Sequence, residues 1–372
     1  MKAVVSCEGE IRLSDIPEPP LEAGHVRIDT EYSAISPGTE LMMNGQGRTT
    51  PIVLGYSAVG VIGKRGQGME DWAVGQRVAC YGAPYVRHAQ RLLVPRHLMV
   101  PVPAAVSAVE ASTVGLGAIA IHALRQADLH FGETLVVIGA GILGQLIAQI
   151  ARAAGCRVIV SDVLQGRLRI AERTGIARTA DSPAAVQQHL DEATGPMGAD
   201  AVIVCTGKTD GLIDQALRWV RDRGKVLLVG DVEPSFSREL MFAKEATVLT
   251  SRAGGPGRYD ARYEREGVDY PYAYVRWTEG RNMAEYIRLI AEGAISVGPL
   301  ISGVYPMEQC SDVFARYARS PAELLGAVLA YPAARDEAAA LSPGRAMDGE
   351  ERDGRMAEAR SSQASAAREP GG

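Results

Sequence analysis

The sequence lacks any long apolar run and has few cysteines. A membrane-spanning helix needs about 20 consecutive apolar residues, and none of the 372 residues lies in such a run. The five cysteines (Cys7, Cys80, Cys156, Cys205 and Cys310) are far apart and form no C-x-x-C pair. The N-terminal residues also lack the continuous apolar core of a secretion signal. We therefore expect no membrane span, reduced thiols and a cytoplasmic location.

A strong charge of one sign is missing as well. The formal net charge is −5, which argues against nucleic acid or an anionic membrane as the main partner. The composition is ordinary for a globular protein, since 47% of the residues are hydrophobic and 22% are charged. A chain of this length can form two domains, each with its own core.

The N-terminal part of the chain shows the pattern of short strands separated by glycine and proline turns. The alternating segments are 25–35, 56–63, 75–82 and 89–95. This pattern predicts an antiparallel, barrel-like β domain. Apolar residues then recur at helical spacing over 106–127, with Ser107 as the N-cap that we expect for this helix.

From Gly132 onward, strand patterns alternate with helix patterns. The predicted strands cover 135–139, 157–162, 177–181, 199–207, 225–231 and 246–251. One of the intervening helices is predicted over 212–224. Six apolar strands that alternate with helices predict a doubly wound parallel sheet, which is the complete six-stranded Rossmann architecture.

The most specific motif is GAGILG at residues 139–144, directly after a predicted strand and at the start of a helix. Gly139 allows a tight turn, Gly141 lets the backbone approach a pyrophosphate, and Gly144 lets the helix pack on the strand. Asp162 follows Gly144 by 18 residues, close to the ~20 expected for the acid that binds the ribose. The pattern predicts a dinucleotide site, with a ligand-free turn between strand and helix as the alternative.

Asp162 also bears on the choice of cofactor. Its carboxylate would accept a hydrogen bond from a ribose 2′-hydroxyl and repel a 2′-phosphate, which favours NAD(H). Arg167 could instead stack on the adenine or pair with a phosphate, so NADP(H) stays open, and Asp162 could simply cap the next helix. The other predicted cofactor contacts are Ile142, Leu143, Cys205, Thr206, Gly230, Asp231, Ser251 and Arg252.

With these motifs the chain resembles the medium-chain dehydrogenase/reductase superfamily, which includes zinc-type alcohol and polyol dehydrogenases. The likeness covers nearly all of residues 1–332 and implies several parts. These are a GroES-like antiparallel β-barrel catalytic domain at 1–118, a Rossmann domain at 119–252, a return to the catalytic domain at 253–332 and a tail at 333–372. The tail is rich in Ala, Arg, Glu, Gly and Ser, and we expect it to be disordered.

Several segments resemble, more narrowly, a zinc-free branch associated with the dehydrogenase half of bacterial two-domain oxidoreductases. These segments are SPGTE, GYSAVGVI, GAIAIHALRQA and the polar block GRYDARYEREGVDYPYAYVRWTEGRN. The resemblance also implies a homodimer, in which the last Rossmann strands of two copies pair edge to edge.

The zinc ligands of the superfamily are missing from this sequence. Ser36 stands where the zinc enzymes place a cysteine, and Tyr56-Ser57 replaces their His-Glu pair. The bridging helix, ASTVGLGA, has no Cys or His at the turn of the third ligand, and the four-cysteine lobe of structural zinc is absent. A catalytic zinc needs three protein ligands and this set offers at most Glu40, so we expect no zinc. The remaining metal alternative is a site built from His88, His97 or His122.

Without zinc, another group must handle the proton of a hydride-transfer reaction. The resemblance places Ser36, Thr39, Glu40 and Tyr56 around the position of the zinc. Tyr56 and Glu40 are the leading candidates for proton transfer, and His122 on the bridging helix is a weaker relay candidate. The alternatives are ordinary packing for Tyr56 and a structural ion pair for Glu40, for example with an arginine of the later block.

The polar block, residues 257–282, follows the last Rossmann strand, and we expect it to fold back over the substrate cleft. Arginine and tyrosine supply hydrogen-bond donors, glutamate supplies acceptors, and tryptophan supplies a flat wall suited to a sugar ring. The predicted substrate-binding residues are Thr39, Arg258, Tyr259, Tyr263, Arg276, Trp277 and Glu279, with Arg281 nearby. The alternative for each is a charged surface loop with internal salt bridges.

Together these features predict a zinc-independent, NAD(P)-dependent oxidoreductase. It would interconvert a secondary alcohol and a ketone on a polar, sugar- or aminocyclitol-like metabolite, as a reductase of a ketone made by a partner enzyme in secondary metabolism. Two alternatives stay open: an NADPH-dependent enone or quinone reductase, and a nucleotide-binding protein without catalysis.

Overall fold

The computed structural model describes residues 1–207, 211–320 and 322–332, so the predicted tail lies outside the described residues. The strands are β1 (Lys2–Cys7), β2 (Glu10–Asp15), β3 (His25–Ala34), β4 (Ile52–Val53), β5 (Ser57–Arg65), β6 (Arg77–Tyr81), β7 (Arg91–Pro95), β8 (Met99–Pro101), β9 (Thr134–Ile138), β10 (Arg157–Ser161), β11 (Arg178–Ala180), β12 (Ala199–Val204), β13 (Val220–Leu228), β14 (Thr247–Thr250), β15 (Ile301–Pro306) and β16 (Gly326–Ala330). The helices are α1 (Pro37–Gly45), α2 (Ala108–Ala111), α3 (Val114–Ala127), α4 (Ile142–Ala153), α5 (Gln165–Arg173), α6 (Pro183–Thr194), α7 (Leu212–Trp219), α8 (Arg238–Ala243), α9 (Ala261–Glu264), α10 (Glu279–Ala291) and α11 (Cys310–Arg319). No helix in these ranges is long and apolar enough to cross a membrane.

The N-terminal strands form the predicted antiparallel architecture, which is built around the long strand β3. Strand β5 pairs along one edge of β3, while β7 and then β16 pair along its other edge, all antiparallel. The full order is β15-β16-β3-β5-β6-β8, with β7 beside β3, and β1, β2 and β4 form a separate sheet. Strands β15 and β16, from the end of the described chain, thus complete a sheet that begins near the N-terminus.

The six predicted Rossmann strands form one parallel sheet in the order β11-β10-β9-β12-β13-β14. This order confirms the doubly wound fold, in which the chain runs outward from β9 in both directions. All residues of β9 are buried, as expected for a central strand with helices on both faces.

Helix α7 is shorter than the sequence predicts. The predicted helix over 212–224 ends at Trp219, and the chain continues directly as β13. Val220 is fully buried and pairs with Ala199 of β12, so sheet pairing replaces the last turns of helix. The register then shifts, and Arg223 takes a φ of +58°, which a helix does not allow.

The predicted helix over 106–127 consists of two helices. Ser107 accepts the Glu110 N–H at 3.2 Å and caps α2, as the sequence suggests. The chain turns at Ser112 and Thr113 before α3, which begins beside β5 and β6 and packs on α4 and α10. Helix α3 therefore links the two sheets. It crosses the predicted domain boundary between 118 and 119, and the domain limits remain predictions.

Candidate functional site

The turn between β9 and α4 has the geometry of a dinucleotide-binding loop. Gly139 has a φ of +100°, in the region that favours glycine. A Cβ on Gly144 would lie 1.8 Å from the Gly139 carbonyl oxygen, so a side chain there would push α4 away from the strand. In contrast, apart from its own neighbours in the chain, no described residue has an atom within 4 Å of the Cβ position of Gly141. The three glycines thus allow a tight turn, close packing of the helix on the strand and an open approach for a pyrophosphate, as a dinucleotide-binding turn requires.

A pocket of about 370 Å³ lies at the carboxyl ends of β9, β10 and β12. Six predicted cofactor residues line it: Gly139, Gly141, Asp162, Arg167, Cys205 and Thr206. The other predicted contacts lie outside its lining: Ile142, Leu143, Gly144, Gly230, Asp231, Ser251 and Arg252. Gly230 packs beneath the pocket wall, since its Cβ position is 2.0 Å from the Thr206 carbonyl oxygen.

Asp162, just after β10, binds the glycine turn of the protein itself. Its Oδ2 accepts the Ala140 N–H at 2.7 Å, and its Oδ1 accepts the Leu164 N–H at 2.9 Å. The guanidinium of Arg167 lies 3.5 Å from Oδ2. The carboxylate thus joins the turn to the start of α5, and this position suits both the ribose contact and the capping alternative.

A cluster of hydroxyl groups occupies the position that the resemblance assigns to zinc. Ser36 is buried at the start of α1, and Tyr56 lies just before β5. The Tyr56 hydroxyl donates to Ser36 Oγ at 2.6 Å. Burial raises the pKa of Tyr56 well above its ordinary value, although hydrogen bonds with Ser36 and Thr39 act in the opposite direction. Tyr56 therefore stays protonated near neutral pH and can act as a hydrogen-bond donor.

Glu40 is paired with a histidine instead of with an arginine of the polar block. Its Oε2 lies 2.8 Å from His88 Nε2, and its Oε1 accepts the Ser36 N–H at 2.9 Å. His88 Nδ1 lies 2.7 Å from Ser33 Oγ, which is 2.9 Å from the Tyr331 hydroxyl. All five residues are buried. The partner of Glu40 is therefore His88 and not the arginine that the structural alternative gave as an example. Both ring nitrogens of His88 are engaged, so neither is free to bind a metal.

At the turn of α3 where the zinc enzymes carry their third ligand, another residue fills the space. A Cβ on Gly115 would lie 2.6 Å from Tyr81 Cδ2 and 2.9 Å from Ser57 Cβ. The Gly115 N–H also donates to Ser57 Oγ at 2.8 Å, which holds the start of α3 against β5. No side chain can therefore stand at position 115 unless the Tyr81 ring and the Ser57 side chain both move.

The donor atoms around this turn do not fit a zinc ion. Zinc binds through cysteine, histidine and carboxylate ligands, three of them from the protein in a catalytic site. Within the described part of the chain, no group of three or more His, Cys, Asp or Glu side chains is arranged to hold a metal. Hydroxyl groups surround the position instead, and Glu40 is already engaged with His88.

The first part of the polar block reaches the hydroxyl cluster through Tyr81. The rings of Tyr81 and Tyr56 meet edge to face with centroids 5.7 Å apart, and the Arg258 guanidinium carbon lies 5.8 Å from the Tyr81 centroid. Arg258 forms a buried ion pair with Glu264. Tyr259, which is 55% exposed, stacks on Arg258 at 4.0 Å. Arg258 and Tyr259 therefore stand beside the cluster.

Trp277 cannot present a free face to a sugar ring. The guanidinium carbons of Arg125 and Arg276 lie 3.4 Å and 3.9 Å from its ring centroid. Two guanidinium groups this close to one centroid would collide on the same face, so each covers one side of the ring. The predicted stacking wall is therefore wrong, and Arg276 serves as a packing partner of Trp277.

Three further predicted residues are placed away from an open cleft. Tyr263 is buried against His97, with centroids 4.4 Å apart. The Glu279 carboxyl is completely buried, so it is not an acceptor on the cleft surface. His122 lies beside Gly255, two turns and about 10 Å along α3 from Gly115. Burial, and then the charge of Arg125, lower the pKa of His122, so it is neutral near pH 7.

The sequence did not indicate Tyr81 or the hydrogen-bond partners of His88. Tyr81 ends a strand and has no motif around it, while His88 was considered as a metal ligand or, more commonly for a scattered histidine, as a surface or core residue. The available signal for Tyr81 is indirect: Gly115 and Gly254 both have Cβ positions 2.6 Å from its ring. One sequence does not show that two distant glycines meet the same ring.

Comparisons with known proteins extend these observations. Residues 22–131 match the alcohol dehydrogenase GroES-like domain, and residues 143–266 match the zinc-binding dehydrogenase family. The chain is 26% identical over 332 residues to 2-dehydro-3-deoxy-L-galactonate 5-dehydrogenase of Pseudoalteromonas atlantica, which covers 81% of this chain and 90% of that protein. It is 25% identical over 297 residues to sorbitol dehydrogenase of Halalkalibacterium halodurans, which covers 70% and 86%. Galactitol-1-phosphate dehydrogenase from Escherichia coli has the same fold, with a TM-score of 0.73 and 21% identity over 89% of this chain and 100% of that one.

Proposed function

We propose that this chain interconverts a secondary alcohol and a ketone. The chain belongs to the medium-chain dehydrogenase/reductase superfamily of zinc-type alcohol dehydrogenases and is an oxidoreductase. The substrate is a polar, sugar- or aminocyclitol-like metabolite, the cofactor is NAD(P), and the reaction runs without zinc. The observation that carries this proposal is the turn at Gly115, where the Tyr81 ring fills the place of a ligand beside the Ser36–Tyr56 hydroxyl pair.

The polarity of the cluster supports a polar substrate. Ser36 and Tyr56 offer hydroxyl groups, and Thr39 is exposed on α1, just after Ser36. Tyr259 adds an exposed hydroxyl beside them. Such donors recognise hydroxyl and carbonyl groups and leave an apolar substrate without compensation. By their names, the two relatives act on 2-dehydro-3-deoxy-L-galactonate and on sorbitol, which points to the same class of substrate.

The chemistry needs one proton at the substrate oxygen. When bound, the nicotinamide supplies or accepts the hydride. The carbonyl oxygen gains negative charge during reduction, and a positioned hydroxyl can stabilise that charge and donate a proton. Tyr56 is the candidate from the sequence, and its raised pKa keeps its proton in place. In the structure this hydroxyl donates to Ser36 Oγ at 2.6 Å, so its proton would turn from Ser36 to the substrate oxygen when the ketone binds.

The acid after β10 supports NAD(H) over NADP(H). A 2′-phosphate would approach the carboxylate of Asp162 and be repelled by it. The guanidinium of Arg167 lies 3.5 Å from the same carboxylate. The positive charge of Arg167, which could otherwise attract a 2′-phosphate, is therefore already partly balanced within the protein. Titration of the protein with NADH and with NADPH, followed by cofactor fluorescence, tests the choice. Tighter binding of NADPH would reverse it.

The assembly remains a proposal as well. Strand β14 ends the Rossmann sheet, and pairing of two copies of β14 would extend the sheet across a homodimer. A partner enzyme would make the ketone that this chain reduces. Light scattering of the purified protein measures the mass of the assembly, and a monomer would contradict the dimer.

The reaction is tested with a panel of keto-sugars and keto-cyclitols, offered with NADH and with NADPH. We expect oxidation of the cofactor with at least one polar ketone, and much slower oxidation with unsubstituted aliphatic ketones. Turnover of enones or quinones with NADPH, and of no ketone, would favour the reductase alternative. Tight cofactor binding without any turnover would favour a nucleotide-binding protein without catalysis.

A further inference from the structure

Arg252 lies between the Rossmann sheet and the hydroxyl cluster of Ser36 and Tyr56. The residue before it, Ser251, donates its N–H to the Leu228 carbonyl at 3.0 Å, at the end of strand β13. Two residues after it, Gly254 packs on the cluster's neighbour Tyr81, since its Cβ position lies 2.6 Å from Tyr81 Cε1. Ligands of such a sheet bind outside the carboxyl ends of its strands. Arg252 is therefore at the junction where a cofactor and a substrate would meet.

The ring of Tyr259 supports the guanidinium of Arg252. The guanidinium carbons of Arg252 and Arg258 lie 4.1 Å and 4.0 Å from the centroid of this ring. Two groups so close to one centroid would collide on the same face, so the ring lies between them. The backbone of Tyr259 has a φ of +69°, which a bulky residue seldom adopts, and Glu264 Oε1 accepts its N–H at 2.9 Å. Strained residues that their surroundings hold in place are concentrated at functional sites.

The two arginines on this ring differ in how their charge is balanced. Arg258 forms a buried ion pair with Glu264 and donates to the Ala83 carbonyl oxygen at 2.5 Å. Arg252 is exposed, and within residues 1–207, 211–320 and 322–332 its guanidinium has neither an ion pair nor a hydrogen bond. A stacked ring covers a face of a guanidinium, whereas the N–H donors lie in its plane and stay available. Such a planar fork binds a carboxylate or a phosphate through two parallel hydrogen bonds.

We infer that Arg252 binds an anionic group of the substrate, a carboxylate or a phosphate, so that the substrate is an acidic or phosphorylated sugar. This inference rests on the proposed function and narrows its class of substrate. Tyr259 holds the guanidinium of Arg252 in place from one face, and its exposed hydroxyl adds a donor for the same substrate. Arg258 supports Tyr259 from the other face while its own charge is balanced by Glu264. Arg252 does not line the pocket at the dinucleotide turn.

Calorimetry tests the anion preference without turnover. The full-length protein, saturated with NADH, is titrated with D-gluconate and with D-sorbitol, which differ by a carboxylate in place of a hydroxymethyl group. Neither alcohol can be oxidised by a cofactor that is already reduced. D-sorbitol 6-phosphate is the third ligand and distinguishes phosphate from carboxylate as the preferred anion. We expect at least one anion to bind about 10- to 100-fold more tightly than D-sorbitol, the range of a hydrogen bond to a charged group. Equal affinities for all three ligands would overturn the inference.

Substitution of Arg252 assigns the preference to this side chain. Arg252→Gln should bind the three ligands with nearly equal affinity and should bind NADH as the wild-type protein does. Arg223→Gln is the matched control, because it removes the same charge from the amino-terminal half of β13, where Arg223 is exposed and pairs with Glu245. It should keep the preference for the anion. A preference that survives in Arg252→Gln contradicts the inference. Loss of NADH affinity in this variant would assign Arg252 to the cofactor and contradict it as well.

Kinetics with the ketone panel add a second measurement. For an acidic or phosphorylated keto-sugar, Arg252→Gln should raise KM by about 10- to 100-fold with little change in kcat. The KM for the neutral analogue should change little, and equal increases for both substrates would count against a bound anion. If no ketone turns over, the proposed function fails, whereas calorimetry still measures the anion preference.

Discussion

At the scale of single residues, the ring of Tyr81 occupies the space that a side chain at position 115 would need. Gly115→Ala would place a Cβ 2.6 Å from Tyr81 Cδ2 and 2.9 Å from Ser57 Cβ. We expect this change to lower the free energy of unfolding by about 1–3 kcal/mol, as at other overpacked sites, and urea titration measures the loss. Gly45→Ala is the control, since no described residue outside its own stretch of helix has an atom within 4 Å of its Cβ position, and it should change stability little.

A double-mutant cycle isolates this contact. Tyr81→Ala removes the ring, so Gly115→Ala should cost less in that background than in the wild-type protein. Equal costs in the two backgrounds would show that Tyr81 does not fill the position. Position 115 could then accept a side chain, including that of a zinc ligand.

The buried carboxyl of Glu279 should make stability depend on pH. Its folded-state pKa of about 9 lies far above the ordinary ~4.3 of glutamic acid. The stabilisation from its proton is complete below the ordinary pKa and is lost as the pH rises through the folded-state value, by up to about 1.4 kcal/mol per pH unit. Glu279→Gln should flatten this decline. Urea titrations of both proteins from about pH 5 to about pH 8 measure the two slopes, and parallel slopes would count against a protonated Glu279.

The sequence predicted individual residues well where their roles are local. Gly139 and Gly144 have a backbone angle and a close approach that the motif itself implies. The partners of Glu40 and Trp277 could not be predicted, because His88 and Arg125 reach them through packing between segments distant in the chain. A single sequence records which residues are charged or aromatic, but it does not record which of them meet.

At the scale of elements, glycine substitutions at the start of α4 can distinguish an effect on cofactor binding from an effect on the free energy of unfolding. Gly141→Ala places its Cβ in space that no described residue occupies, at a backbone φ of −65° that alanine adopts readily. We expect it to weaken NADH binding, because the methyl group takes the space of the pyrophosphate, and to leave the free energy of unfolding nearly unchanged. Fluorescence titration with NADH and urea titration measure the two effects.

Gly144→Ala should behave in the opposite way. Its Cβ would lie 1.8 Å from the Gly139 carbonyl oxygen, so the helix must move and the protein should lose at least about 1–3 kcal/mol of stability. If Gly141→Ala lost as much stability as Gly144→Ala while binding NADH normally, the turn would be a structural feature without a ligand.

Helices and strands were predictable where periodicity and sheet position agree. The buried strand β9 and the amphipathic α4 have clear patterns, and both lie where the sequence places them. Helix α7 ends earlier than predicted because pairing of Val220 with Ala199 competes with the helical turn. This competition is tertiary, so local propensity does not reveal it.

At the scale of the whole molecule, the order of strands and helices determines the architecture. Six parallel strands that wind outward from β9, joined to an antiparallel sheet by α3, form the fold that the alternating patterns predict. The proposed catalytic site depends instead on contacts between the two sheets and the polar block. The proposal that its hydroxyl and tyrosine cluster works without zinc is therefore tested on the intact protein.

The most direct test is metal analysis of the purified protein, combined with ketone turnover before and after treatment with a zinc chelator. Our account predicts far less than one zinc ion per chain and turnover of the keto-sugar that is unchanged by the chelator. One zinc ion per chain, with turnover that is lost on chelation and restored by added zinc, would contradict it.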